Sequence, residues 1–336
     1  IEQFTACSSP QAEPPSDSRL STIPAPRCGE TGYRDWAKAL NLVANFLTAR
    51  RAQASLRSVQ LVAAIPLPQP ESAAAANLLN FLEKSQDLAA LTTSPANKSE
   101  AGLVSRTVQL VYPWVRSLGA VGLPEQLESP DGVLVGLLAR NALIQGTYRS
   151  AATLPLSGAF SDVIEFVPTL GRSQLYQPSY AEKSLIERVS LFGPTPNGLQ
   201  LLSDVTTSLE ESVRPASVHR LIGVILKAAT RLGEALVFES SGERLWSQLE
   251  ESLRGLMESL FLAGAFRGGS SAEAYLVRCD RTTMTQNDLD NGRAIARIEF
   301  APALPLERIT LTLTLYDNAQ SSLLPALVKT EIGEAA

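Results

Sequence analysis

Apolar and polar residues alternate three times near the end of the chain, between positions 274 and 315. Alternation with a period of two is typical of strands that bury one face. The apolar positions are Tyr275, Val277 and Cys279, then Ala294, Ala296, Ile298 and Phe300, then Ile309, Leu311, Leu313 and Leu315. Between the first two runs, Thr285 and Asp288 have the spacing of a helix capping box. The segment therefore predicts three strands and one short helix.

Two longer helices are predicted immediately before these strands. Apolar residues recur every three or four positions after Pro215 and again over 245–261, which is the pattern of helices with one buried face. Gly233 is expected to end the first helix and Gly264 the second, because glycine suits the position after a helix. A strand is predicted between the helices, at 235–238.

The first half of the chain predicts a strand, a helix and a strand in succession. The strands at 59–65 and 107–115 are apolar runs, and the helix at 71–91 has one apolar side. Such a βαβ unit is expected to be parallel and right-handed. The other predicted elements are a helix with Trp36, Leu40, Val43, Ala44 and Leu47 on its apolar face, a helix at 133–142, and short strands at 189–192 and 199–202.

The predicted fold class is α/β in the broad sense, a mixed α+β protein. It combines a βαβ-containing middle region with a C-terminal mixed sheet packed by two amphipathic helices, and its terminal arms are extended. The expected division is a Pro- and Ser-rich arm at 1–32, an α/β middle region at 33–205, a C-terminal core domain at 206–316 and a tail at 317–336.

Charge and composition argue against several classes of partner. Lys and Arg number 29 and Asp and Glu number 34, giving a net charge of −5 without a run of five like charges. Nucleic-acid binding needs clustered basic residues and is therefore disfavoured. No apolar run approaches the roughly 20 residues that a membrane-spanning helix needs, so no direct membrane insertion is expected. The three cysteines lie far apart without metal-site spacing.

The residues needed for catalysis do not assemble in the sequence. His219 is the only histidine, and it lies beside an apolar helical stripe, as a boundary residue of a packed helix would. The glycine-rich stretch 264–269 lacks the Gly-Lys-Ser/Thr ending of a phosphate-binding loop. A calcium loop aligned on Gly292 would place Leu289 where an oxygen ligand is required. We predict that the chain is not an enzyme and has no catalytic, cofactor-binding or metal-binding residues.

Two features near the C-terminus have alternative interpretations. The charged residues Asp280, Arg281, Asp290 and Arg293 form a candidate ion-pair cluster that either holds the short helix locally or sets the register between subunits. The strand carrying Ile309, Leu311, Leu313 and Leu315 is either an internal strand of one domain or a subunit-interface strand. In the second case, segments of adjacent copies would complete one sheet by β-augmentation.

The C-terminal segments CDRTTMTQNDLDNGR (279–293) and IEFAPALPLERI (298–309) resemble the signature of contractile tail sheath proteins of phages and phage-tail-like injection systems. Upstream segments resemble the same family in the same order: VQLVYPWVRSLG and SPDGVLVGLLARNALIQGTYRSAA within 108–152, VFESSGERLW at 237–246, and LAGAFRGGSSAEAYLV at 262–277. The resemblance covers approximately 59–315 and is most specific at its C-terminal end.

This resemblance implies a structural subunit that polymerises with itself as stacked six-subunit rings around an inner tube and drives the tube outward on contraction. It also implies baseplate and cap or terminator proteins as partners, no cofactor, and assembly in the bacterial cytoplasm into a phage tail or tail-like particle. Terminal arms would interlace neighbouring subunits. Arg267, Arg278 and Arg293 are candidate tube contacts because basic residues there could meet an acidic tube surface.

Departures from the family pattern keep a second role open. Ser240 and Ser241 stand where the family commonly has Pro-Asn, and His219 stands where a basic residue is usual. A sheath-like paralogue at one end of the particle, near the baseplate or terminator, would be consistent with these differences. A small-molecule α/β enzyme is the remaining alternative, supported only by the βαβ unit, and a fold alone does not establish a function.

Overall fold

A computed structural model describes residues 23–49, 59–70, 103–153, 163–176, 184–236, 242–303, 309–315 and 329–334. Its α-helices are α1 (Glu30–Ala49), α2 (Pro130–Ile144), α3 (Arg172–Leu175), α4 (Leu185–Arg188), α5 (Ala216–Leu236), α6 (Glu243–Leu262), α7 (Ser271–Ala274) and α8 (Gln286–Asp290). Its first nine strands are β1 (Arg27–Cys28), β2 (Leu61–Ala64), β3 (Leu67–Pro68), β4 (Val108–Tyr112), β5 (Trp114–Ser117), β6 (Leu127–Glu128), β7 (Val163–Val167), β8 (Ser190–Thr195) and β9 (Gly198–Leu201). The last four are β10 (Tyr275–Arg278), β11 (Ala294–Phe300), β12 (Ile309–Leu315) and β13 (Lys329–Glu334).

The middle region is built on a four-stranded sheet of order β2-β4-β8-β9. β2 pairs with β4 in parallel, as the βαβ pattern predicts, and β4 pairs with β8 in parallel. β8 and β9, which correspond to the two short strands predicted at 189–192 and 199–202, pair with each other as an antiparallel hairpin. The helix predicted at 71–91 lies outside the described residues.

Strand β4 lies at the centre of this region with both faces covered. Leu110 and its neighbours on one face pack with Leu40 of α1. Val111 on the opposite face packs with Leu134 and Leu137 of α2. Because both faces are buried, the strand is a continuous apolar run with one polar interruption at Gln109, which is itself buried.

The single strand predicted at 107–115 is divided at Pro113 into β4 and β5. Proline has no N–H group to donate to a ladder, so it ends regular pairing at this point. After it, β5 enters a separate three-stranded antiparallel sheet of order β6-β5-β7. Strands β1 and β3 form a separate two-stranded parallel pair.

The C-terminal sheet has the order β10-β11-β12-β13. All of its described pairings are antiparallel, which corrects the expected mixed sheet. A parallel pair needs a crossover of roughly a dozen residues or more. The link between β11 and β12, residues 301–308, is shorter than that, which favours antiparallel pairing of these two strands. Helices α5 and α6 pack on one face of this sheet, so the predicted mixed α/β fold class is confirmed.

Several features of the helices differ from those predicted. Gly233 does not end α5, because it is buried within a helix that continues to Leu236, so positions 235 and 236 are helical rather than part of a strand. Gly264 does follow the end of α6, with a φ of +76° that suits glycine. On α1, the buried face includes Tyr33 and Ala37, whereas Val43 is only half-buried.

Candidate functional site: the C-terminal sheet and its surfaces

The inner face of the C-terminal sheet forms the largest described core. Leu253 and Met257 of α6 and Ile225 of α5 are fully buried against it. On β12, Ile309, Leu311 and Leu313 are exposed by only 1 %, 0 % and 6 %, so their side chains lie in the core of their own domain. These three predicted interface residues are therefore not available to a neighbour through their side chains. The side chain of Leu315 lies outside what the structure describes.

Strand β12 is internal, and β13 occupies the position next to it. The register runs from Ile309 opposite Glu334 to Thr314 opposite Lys329. The strand falls within the segment 317–336 that was expected to be a tail. Residues 316–328 connect the two strands, a much longer link than the approximately two to five residues of common hairpin loops. The outer strands of this sheet are thus β10 and β13.

The short helix α8 begins with the predicted capping box. The Thr285 backbone N–H donates to Asp288 Oδ2 at 3.0 Å, and the Asp288 N–H donates to Thr285 Oγ1 at 3.3 Å. The hydrogen bonds from Thr285, aided by nearby Arg293, lower the pKa of Asp288 below its ordinary value. This arrangement fixes the turn between β10 and β11.

Three of the four residues in the predicted ion-pair cluster have partners outside it: Asp280, Asp290 and Arg293. Asp280 accepts a hydrogen bond from the Thr282 N–H at 2.7 Å, and the bonds from Thr282 lower its pKa. Asp290 Oδ1 accepts from Gln286 Nε2 at 2.8 Å, and Arg281 is exposed. Arg293 forms an ion pair at 3.6 Å with Asp288, a residue predicted only as part of the capping box.

The three candidate tube contacts differ in position. Arg267 is exposed just after α6, Arg278 is exposed at the end of β10, and Arg293 is half-buried beside α8. Arg278 lies opposite Arg297 of β11. Sequence reasoning did not select Arg297, although it stands at a polar position of an alternating strand, between buried Ala296 and Ile298.

A second polar centre, which no sequence pattern predicted, joins the middle region to α5. The Asp204 side chain is fully buried and pairs with Arg220 at 2.6 Å. Its carboxylate also accepts hydrogen bonds from Gln109 Nε2 of β4 at 2.9 Å and from the Ala151 N–H at 3.0 Å. Arg220 Nε in turn donates to the Thr147 carbonyl at 3.0 Å. One carboxylate therefore connects the central sheet, the loop after α2 and helix α5.

Two residues that could support chemistry, His219 and Cys279, are buried. His219 is 4 % exposed on α5, and desolvation raises the pKa of the Cys279 thiol to about 12, so little thiolate forms at neutral pH. Within the described ranges, no three His, Cys, Asp or Glu side chains are grouped to hold a metal ion. None of the described helices has the length and apolar character to cross a bilayer.

Comparisons with known proteins identify the architecture. The sequence matches no family model and no curated protein. Among solved structures, it matches a chain of the six-fold symmetrised anti-feeding prophage (AFP) baseplate with a TM-score of 0.52 and 20 % identity, covering 60 % of this chain and 53 % of that one. It matches the contracted PVC sheath complex of an extracellular contractile injection system with a TM-score of 0.52 and 19 % identity, covering 64 % and 58 %.

A third match is the contracted AFP helical sheath, with a TM-score of 0.50 and 19 % identity, covering 73 % of this chain and 67 % of that one. The matches thus span between about half and two thirds of the length of the solved chains. Two of the three structures are contracted sheaths. The chain has the fold of contractile sheath proteins, as its C-terminal signature predicts.

Proposed function

We propose that this chain is a subunit of a contractile tail sheath. In this role it polymerises as stacked six-subunit rings around an inner tube and drives the tube outward when the sheath contracts. The observation that carries the proposal is the C-terminal sheet, whose last strand is joined to β12 by a long connection. The likeness to two sheath structures supports the same conclusion at the level of the fold.

Subunits would be linked by exchange of β13. In the single chain, β13 pairs with its own β12. The connecting segment 316–328 could span up to about 40 Å if extended, at roughly 3.3 Å per residue. The same pairing could therefore form between β13 of one subunit and β12 of the next, as in domain swapping. Such links would keep the rings joined while the subunits move.

Contraction would draw its energy from new contacts between subunits rather than from nucleotide hydrolysis, and we infer that the chain is not an enzyme. Each subunit would rotate as a rigid body between two states of the polymer. Its partners would be other copies of itself, the inner tube protein, and baseplate and cap or terminator proteins. Assembly would take place in the bacterial cytoplasm, within a phage tail or tail-like particle.

Within the subunit, we propose that the C-terminal core domain (206–316) faces the tube and that the middle region (33–205) lies further out. Arg267, Arg278 and Arg293 would contact the tube. Their side chains lie on or near the C-terminal sheet, which favours this assignment. The pairs Asp280–Thr282 and Asp288–Arg293 would hold the β10–β11 turn in place rather than link subunits.

Negative-stain electron microscopy of the purified full-length chain tests this proposal. The matched variant ends after Leu315, which removes β13 but keeps the buried strand β12. A control ending after Glu334 keeps every described strand. We expect tubes or stacked rings from the full-length chain and the control, and none from the variant that ends after Leu315. Monomers in all three preparations would contradict the proposal.

A sheath-like subunit at one end of the particle is the second candidate function. One of the matching chains comes from a structure of the AFP baseplate. The copy number in purified particles separates the two roles: a sheath subunit would be present in many copies, and an end-located paralogue in about one ring. Quantitative mass spectrometry of the particle, referenced to its tube protein, measures this ratio.

A further inference from the structure

Helix α1 exposes large apolar side chains on the face that points away from the middle sheet. Leu42 is 71 % exposed and Phe46 is 52 % exposed, and the two residues lie one helical turn apart. Leu42 is two positions from the buried residues Leu40 and Ala44. Two positions along a helix correspond to a rotation of about 200°, so Leu42 is on the side opposite the core. The outer face of α1 is therefore apolar.

Helix α2 has an outer face of the same kind. Val135 is 51 % exposed and Leu143 is 89 % exposed, and the exposed residue Ala139 stands between them at the same four-residue spacing. Leu137 and Asn141, each two positions away from Ala139, are buried. A helix that is apolar on all sides is typically buried on all sides. In the single chain, however, this apolar face of α2 is exposed.

These two outer faces carry little charge, unlike the solvent-facing side of α6. Positions 39–49 of α1 contain no Asp, Glu, Lys or Arg, and the charged residues of α2 are Asp131 and Arg140. The exposed positions of α6, by contrast, include Glu251 and Arg254. Depletion of charge around large apolar side chains is typical of the core of a protein–protein interface.

The outer faces of α1 and α2 lie on opposite sides of the middle sheet. α1 packs on the side of β4 that carries Leu110, and α2 packs on the side that carries Val111. One chain cannot bring its own two faces together, whereas two copies can. A contact between α1 of one copy and α2 of the next joins two different surfaces, and repetition of such a contact builds rings or helical polymers.

We propose that the outer face of α1 docks on the outer face of α2 in a second copy of this chain. Leu42 and Phe46 form a ridge on α1, and the small side chain of Ala139 leaves a groove between Val135 and Leu143 that this ridge can enter. The choice of a second copy as the occupant rests on the function proposed above, because a sheath polymer places many copies side by side. The contact is distinct from the exchange of β13, since it uses only the middle region.

Photo-crosslinking in the full-length chain tests the proposal. The change Leu143→p-benzoylphenylalanine places a photoreactive group at a position that is 89 % exposed. We expect this group to react with the tryptic peptide 39–50 of another copy. Mass spectrometry of a mixture of isotopically labelled and unlabelled chains shows whether the product joins two copies. The control Ser247→p-benzoylphenylalanine, on the exposed side of α6, should not give this product.

Two substitutions at Leu42 make the test specific to the apolar contact. Leu42→Asp puts a carboxylate into the proposed interface and should reduce the crosslinked product at least about tenfold. Leu42→Met keeps an apolar side chain and should retain the product. Because Leu42 is 71 % exposed, both variants should fold like the original chain, and thermal unfolding checks this.

Negative-stain microscopy of the same samples separates this proposal from the sheath assignment. Polymers in which position 143 reacts only outside 39–50, or in which Leu42→Asp leaves the product unchanged, would overturn the contact between α1 and α2 and leave the sheath assignment standing. The 39–50 product in small oligomers without polymers would support the contact and count against the sheath assignment. Absence of both the product and polymers would overturn both.

Discussion

Asp204 and Arg220 form a buried ion pair at 2.6 Å where the middle region meets helix α5. The Asp204 carboxylate also accepts hydrogen bonds from the Gln109 side chain and the Ala151 backbone N–H. The Arg220 guanidinium donates a hydrogen bond to the Thr147 carbonyl. Further contacts join the same parts, since Tyr148 Oη donates to the Ala263 carbonyl at 2.9 Å at the end of α6. The predicted boundary at 205/206 thus falls beside a tight polar connection. In the proposed sheath role, this connection would let the two parts of the chain move as one body.

Breaking this pair should destabilise the protein strongly. Arg220→Met leaves the Asp204 carboxylate buried without its cation, and removing one partner of a buried pair costs about 3–5 kcal/mol. Arg254→Met is the control, because Arg254 is 58 % exposed where it pairs with Glu250, and exposed pairs contribute less than about 1 kcal/mol. Urea unfolding followed by fluorescence measures both. Equal midpoints for the two variants would show that the Asp204 centre does not hold the regions together.

The two faces of β12 should respond differently to substitution. Leu311→Ala empties a fully buried position, and such changes cost about 2–5 kcal/mol. Thr312→Ala alters the half-buried outer face and should cost less than about 1 kcal/mol. Unfolding free energies of the two variants test whether the alternating apolar residues serve the domain core. If the Leu311 variant were as stable as the original chain but defective in assembly, the β12 side chains would instead contact a neighbouring subunit.

Thr282 and Thr285 should each control the pKa of one aspartate. Thr285→Ala should raise the pKa of Asp288 and leave Asp280 unchanged, and Thr282→Ala should do the reverse, because each threonine provides the main hydrogen bonds to its own partner. Carbon-detected NMR titration of the carboxyl groups measures both values. Matching shifts in both variants, or none in either, would refute the pairing.

The sign of the pH dependence follows from the same hydrogen bonds. Both aspartates have folded-state pKa values below the ordinary value of 3.8. Their contribution to stability is therefore fully present above the unfolded-state pKa and is lost as the pH falls through the folded-state pKa. The threonine variants should accordingly lose less stability than the original chain between neutral and strongly acidic pH.

Cys279 should be inert to thiol reagents in the folded protein. It is 2 % exposed and its pKa is raised to about 12, chiefly by burial and further by nearby Glu250. Cys28 is half-buried and should be alkylated by iodoacetamide faster than Cys279. Peptide mass spectrometry after brief labelling gives both rates, with the urea-unfolded chain as reference. Labelling of Cys279 in the native protein at the rate of the unfolded chain would contradict its position in the core.

Local patterns predicted most of the C-terminal elements. Alternation placed β10, β11 and β12, and the Thr285–Asp288 spacing placed α8. β13 escaped prediction because its sequence KTEIGE contains a glycine and only one strongly apolar residue. The segment is a strand because it pairs with β12, and its own sequence does not alternate between apolar and polar residues.

The polar contacts could not be predicted from local sequence patterns, for a different reason. Asp204 meets Gln109 and Ala151 only because three elements distant in sequence converge. Arg278 and Arg297 meet only once the register of β10 and β11 is fixed. Within a single helix or strand none of these residues has an unusual spacing. The C-terminal signature nevertheless identified the fold, because it lies within the contiguous segment that forms β10, α8 and β11.

A disulfide between β12 and β13 tests strand exchange most directly. Thr312 and Glu331 are register partners, and opposed positions of antiparallel strands lie within disulfide reach. A chain with Thr312→Cys and Glu331→Cys, and with its native cysteines changed to serine, would be oxidised after polymerisation and run on a denaturing gel. The control carries Thr312→Cys alone. Strand exchange predicts a ladder of covalent multimers from the double variant, and a single monomer band that contains an internal disulfide would contradict it.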